Sequence, residues 1–112
     1  MAKNPARRKL AAGQRDARLS ALRFALLEAC GGTAVAAEVA HACISACPDA
    51  VLSRTAEELA ASFERARDGG VGFRHWLREQ ATADFAARRV LRARGWVISE
   101  SEFLVFARLG AE

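Results

Sequence analysis

Apolar residues recur along this chain at three- and four-residue steps, interrupted by glycine, proline or a hydroxyl-bearing cap. From about Ala11 to Cys30, Leu19, Leu22, Leu26 and Ala29 keep to one face, with Phe24 and Leu27 widening it, which is the spacing of an amphipathic helix. Gly31-Gly32 closes this helix, because glycine enters the left-handed conformation that ends a helix. Thr33 is placed to cap a second helix running to about Cys47. Val35, Ala36, Val39, Ala40, Cys43, Ile44 and Cys47 cover more than half its circumference, so it is expected to be the most buried helix. Pro48 stops it.

Thr55 and Glu58 have the spacing of a capping box, each side chain satisfying an orphan amide of the first turn. The helix they open carries Leu59, Phe63 and Ala66 and ends at Asp68-Gly69-Gly70. A short helix from about Val71 to Glu79 groups Phe73, Trp76 and Leu77, and another is expected from about Thr82 to Arg94. Gly95 breaks the latter, and the β-branched pair Val97-Ile98 makes an extended link. Ser99 and Glu102 form a second capping box, opening a last helix that ends at Gly110. The pattern predicts an all-α fold: a compact bundle of five to six short alanine-rich helices with a basic N-terminal arm. Residues 1–12 form the arm, expected to be flexible, and residues 13–112 a single helical domain.

Composition sharpens this reading in two ways. Over 112 residues, 52% are hydrophobic, but much of that is alanine, and six Phe and two Trp are the only aromatic residues. Large core anchors are therefore few. The charge is also unevenly placed. Residues 1–18 hold Lys3, Arg7, Arg8, Lys9, Arg15 and Arg18 against Asp16, a local +5 within a formal net of +4. The body is thus close to neutral, and the basic start suits nucleic acid or an acidic surface, with a solubilising tail as the plain alternative.

On a helix from Thr82 to Arg94, Ala83, Ala87, Val90 and Leu91 would share the core face, placing Phe85, Arg88, Arg89 and Arg92 opposite. Guanidinium forks bind phosphates, and an aromatic face stacks on an unpaired base. The competing expectation is that Phe85 packs on a neighbouring helix or subunit, with arginine stems as cover. In the last helix Phe103, Leu104, Val105 and Phe106 are four consecutive apolar residues. They cannot all face one core from a single helix side, so Phe103 and Phe106, with Phe85, are candidates for a partner interface.

Other chemistry is weakly represented. Cys30, His41, Cys43 and Cys47 lie within 18 residues, but His41 falls across the helix from Cys43, and Cys30 has no near partner. Packing as small apolar groups is the expectation for the three thiols, with no metal. Neither His41 nor His75 has a nucleophile and orienting group at readable spacing, and Gly69-Gly70-Val71-Gly72 lacks the lysine of a phosphate loop. No catalytic residue and no cofactor are expected. No apolar run approaches the ~18 residues of a membrane span, and an odd cysteine count fits a reducing compartment. The chain is expected to be cytoplasmic, with an organellar presequence as the alternative for its arginine-bearing start.

The stretches ELAASFERARDGGVGFRHWL and DFAARRVLRARGWVISESEFL, within residues 57–104, resemble the nif-eleven-like (nitrogen-fixation-associated) leader peptide family. Gly95-Trp96, Ser99 and Glu102-Phe103 match the Gly-aromatic, Ser/Thr cap and acidic-hydrophobic pair that close that family's helical unit. The resemblance implies docking, since such leaders are held by enzymes that modify an attached peptide. Eight residues follow Leu104, with no Gly-Gly cleavage site, so a helical docking unit is expected rather than a precursor. Taken together, the residues point to a small non-enzymatic accessory subunit contacting nucleic acid or a nucleoprotein complex. The alternative is a protein docking module or oligomeric adaptor without nucleic-acid binding.

Overall fold

In the computed structural model of the chain, residues 5–93 and 95–110 are described, and side chains from residue 13 onward except at positions 93, 94 and 96. The molecule is a mostly-α bundle with one small two-stranded sheet. The elements are α1 (Pro5–Cys30), α2 (Thr33–Ala46), α3 (Ala56–Asp68), α4 (Phe73–Ala86), β1 (Val90–Ala93), β2 (Trp96–Ser99) and α5 (Glu100–Phe103). A π-helical segment, Leu104–Leu109, prolongs α5.

Helix ends follow the punctuation closely where glycine supplies it. Gly31 adopts φ 88 and the Gly32 amide donates to the Leu27 carbonyl at 3.0 Å, a Schellman closure of α1. Gly70 (φ 84) closes α3 in the same way, with the Val71 amide on the Ala66 carbonyl at 2.9 Å. Both expected hydroxyl caps form: Thr55 accepts from the Glu58 amide at 3.2 Å and Ser99 from the Glu102 amide at 3.1 Å. Thr33 does not cap α2; Gly32 holds that position and no side chain bonds there. At its other end, α1 begins at Pro5 rather than near Ala11, because proline suits the first helical position and alanines follow it.

The largest departure lies between residues 71 and 99. The two helices expected there are one, α4, which stops at Ala86 instead of running to Arg94. Glu79, Gln80 and Ala81 are good helix formers, so nothing breaks the chain between the two expected segments. What stops α4 is a third Schellman closure: Arg88 takes φ 59, and the Arg89 amide donates to the Asp84 carbonyl at 2.8 Å. An arginine thus occupies the place where glycine is usual, at a steric cost of about 1–2 kcal/mol. The chain then forms an antiparallel hairpin, with Val90 opposite Ser99, Leu91 opposite Ile98 and Arg92 opposite Val97. Gly95 (φ 82) ends no helix; it lies between the two paired strands.

The core brings Leu22 and Leu26 of α1, Leu59, Ala60 and Phe63 of α3, and Trp76 of α4 onto Leu104, Val105 and Leu109. The C-terminal segment is the central element, packed against α1, α2, α3 and α5. That position resolves the four-residue apolar run: Phe103, Leu104 and Val105 are buried and Phe106 packs partly against the core. With neighbours on several sides, consecutive residues reach apolar surroundings. Contrary to expectation, α2 is not the most buried helix. Only Ala36 and Ala40 are buried on it, while Val35 and Ile44 are exposed. Its apolar circumference is wider than the single side that touches the C-terminal segment.

Candidate functional site

A buried polar cluster fixes the orientation of α4. Asp84 is fully buried, and its Oδ1 accepts from Arg54 Nη2 at 2.5 Å and from Arg89 Nε at 3.0 Å. Its Oδ2 accepts from the Ser101 amide at 2.7 Å, one of the first-turn donors that α5 cannot satisfy internally. Arg54 Nη1 donates to Gln80 at 3.1 Å and Nη2 also to the Ser101 hydroxyl. Glu100 accepts from the Ser53 and Arg54 amides at 2.7 and 2.9 Å and from the Ser53 hydroxyl at 2.8 Å. One carboxylate, Asp84, thus meets two guanidinium groups, while Glu100 holds the backbone of Ser53 and Arg54 beside it.

This cluster corrects the expected arginine face. Arg89 is turned inward on Asp84 rather than presented to solvent, and Arg92 is exposed on β1, away from any face of α4. Of the expected core face, Ala83 and Ala87 are exposed and Val90 and Leu91 half-buried, because α4 turns Trp76 and Asp84 inward instead of Ala83 and ends before the other three. Phe85 is exposed at 48%, as the pattern required, and Arg88 is exposed just beyond the helix end.

The real surface stripe follows from the length of α4. At ~100° per residue, Trp76, Gln80 and Asp84 define the inward side, which their hydrogen bonds and burial confirm. Arg74, Arg78 and Phe85, spaced four and then seven residues apart, fall within a narrow strip of the outer side, and all three are exposed. Arg88 is exposed at the turn that ends the helix. Among the described residues, Arg74, Arg78 and Arg88 form no ion pair with a carboxylate, unlike Arg18, Arg54 and Arg89. Eleven residues of helix separate Arg74 from Phe85, a rise of about 16 Å. Farther round the helix, His75 Nε2 and Glu79 Oε1 pair at 2.8 Å, exposed to solvent. Arg74 and Arg78 were absent from the sequence-based candidates. Their spacing to Phe85 was a usable signal once the segment is taken as one helix.

The N-terminal candidates divide. Arg15 is exposed, whereas Arg18 pairs with Glu64 and ties α1 to α3. The side chains of Lys3, Arg7, Arg8 and Lys9 lie outside the described residues. Of the interface candidates, Phe103 is buried, so it presents nothing to a partner, and Phe106 is half-covered.

The thiols of Cys30, Cys43 and Cys47 are free and half-buried. Burial pushes the Cys43 thiol up, and the neighbouring Cys47 and Glu102 push in the same direction. Its protonated form is therefore favoured at neutral pH, which works against a thiolate ligand. Two shallow cavities, about 220 Å³ beside Ile44, Cys47 and Pro48 and about 380 Å³ beside Leu52 and Thr55, both reach Ala50 and Arg108. No single described helix is long and apolar enough to cross a membrane. No protein family, curated protein or solved structure matches the chain.

Proposed function

We propose that this chain is a small accessory binding protein that contacts nucleic acid through the outer stripe of α4. The observation that carries this reading is the file Arg74, Arg78 and Phe85, exposed along one side of α4, with Arg88 exposed at the turn that ends the helix. Its three guanidinium groups have no described carboxylate to satisfy, so phosphate oxygens are their natural partners. The strained backbone at Arg88 supports the same conclusion, since strain kept at an exposed residue points to use of its side chain. Lys3, Arg7, Arg8, Lys9 and Arg15 supply further positive charge at the start of the chain.

Binding governed by phosphate contacts weakens steeply with salt, because condensed counterions are released. The anisotropy of a fluorescent oligonucleotide, titrated with the native chain between about 50 and about 200 mM salt, measures this. A fall in affinity of one order of magnitude or more is expected; affinity that does not change with salt removes the reading.

A second reading, a protein docking module, is favoured by Val35, Ile44 and Val51, which are exposed, Ile44 at the edge of the smaller cavity. The resemblance of residues 57–104 to nif-eleven-like leaders points the same way. A clean monomer in sedimentation that captures no partner chain removes this second reading.

A further inference from the structure

The outer stripe of α4 sets one aromatic ring in a single file of cations, and that combination discriminates between forms of nucleic acid. Resting on the nucleic-acid reading above, we infer that the ligand is a single strand, with one unpaired base stacked on Phe85 and adjoining phosphates held by Arg78 and Arg88.

Phe85 is 48% exposed and is absent from the aromatic contacts that Phe63, Phe73 and Trp76 make with one another. Its ring is thus open to a π-face from outside. Every base offers such a face, but only when it is unstacked. In a duplex the bases are stacked on each other, and the ring would meet sugar and phosphate, leaving its apolar surface uncompensated. The charge layout argues in the same direction. Arg74 and Arg78 share one narrow strip of α4 with the ring, suited to one backbone, and Arg78 lies about 10 Å of helix rise from Phe85. A duplex presents two phosphate walls. The flank that would meet the second wall carries the exposed carboxylate of Glu79, already paired with His75. That flank adds no net cation when the histidine is neutral, and at best a neutral pair when it is charged. Arg88 is exposed at the turn that ends α4, three residues beyond the ring.

The test is anisotropy with three fluorescein-labelled probes of about 20 nucleotides: a uridine RNA strand, a thymidine DNA strand and a mixed-sequence DNA duplex. Native chain is compared with Phe85→Ala and Phe85→Trp. The expected result is tighter binding to a single strand than to the duplex. Phe85→Ala should weaken the single strand roughly 5- to 150-fold and leave the duplex unchanged, and Phe85→Trp should restore binding. Duplex binding as tight as single-strand binding, or a single-strand affinity unmoved by Phe85→Ala, overturns the inference while the nucleic-acid reading stands. Salt-insensitive or absent binding to all three probes overturns both. Because Phe85 is on the surface, both variants retain the core, and circular dichroism checks that they are folded.

Discussion

Asp84→Ala is expected to cost about 3–5 kcal/mol of folding stability, read as a lowered midpoint in urea with the slope unchanged. The magnitude follows from what the carboxylate leaves behind. Arg54 and Arg89 both donate to it, and the Ser101 amide donates to its second oxygen. Alanine would strand two largely covered guanidinium groups and a first-turn amide of α5. The hairpin would also lose one of the ties that fold it back against α4. Asp84→Asn keeps an acceptor but not the charge, so an intermediate loss is expected. A change below about 1 kcal/mol for Asp84→Ala would show that solvent reaches the cluster and that its charges are screened. Against a typical total of 5–15 kcal/mol, the expected loss threatens the fold itself.

Trp76→Ala should be comparably damaging, at about 3–5 kcal/mol. Trp76 is 1% exposed and is the largest fully buried side chain described. Its ring lies 5.2 Å from Phe63 and 6.0 Å from Phe73, an arrangement that adds aromatic contact energy to the area buried. It also donates from Nε1 to the Ser62 hydroxyl at 3.1 Å. Truncation leaves a cavity that the packed neighbours refill only in part. Trp76→Phe keeps much of the volume and loses the hydrogen bond, so a smaller loss is expected. Thermal unfolding of the two variants side by side separates volume from hydrogen bonding.

Both losses concern the part of the molecule that the sequence announces least. Helix ends were legible where a residue type carries the instruction: Gly31 and Gly70 turn left-handed, and Thr55 and Ser99 cap. The stop after Ala86 was not legible, because it rests on Arg88 adopting a conformation that favours glycine and on Asp84 gathering partners from three other segments. Periodicity sees one helix at a time, whereas that contact spans residues 54, 84, 89 and 101. The hairpin had a visible element in Val97-Ile98, but its partner strand was read as helix since Val90 and Leu91 also fit a helical face. The apolar pattern of α2 overstated its burial, because a low-volume alanine helix needs only one side against the core. Likewise Phe103 looked like surplus surface until the C-terminal segment proved central.

The candidate site shows the same division. Phe85 and Arg88 were readable as exposed, since neither belongs to a core repeat, and both are. Arg89 was indistinguishable from Arg88 by sequence, and only the buried carboxylate one turn away separates their fates. Arg74 and Arg78 were hidden by a boundary drawn where no helix breaker stands. With α4 continuous, they line up with Phe85 and give the stripe its length.

The stripe is tested most directly by how oligonucleotide affinity varies with salt in the native chain and in the combined variant Arg74→Ala, Arg78→Ala, Arg88→Gly. Glycine at position 88 removes the cation and relieves the left-handed backbone at once, so unfolding would not explain lost affinity. If three phosphate contacts disappear, the slope of log affinity against log salt should become shallower by about 2 for a single strand. Identical slopes for the two proteins would contradict the assignment and place the contacts elsewhere.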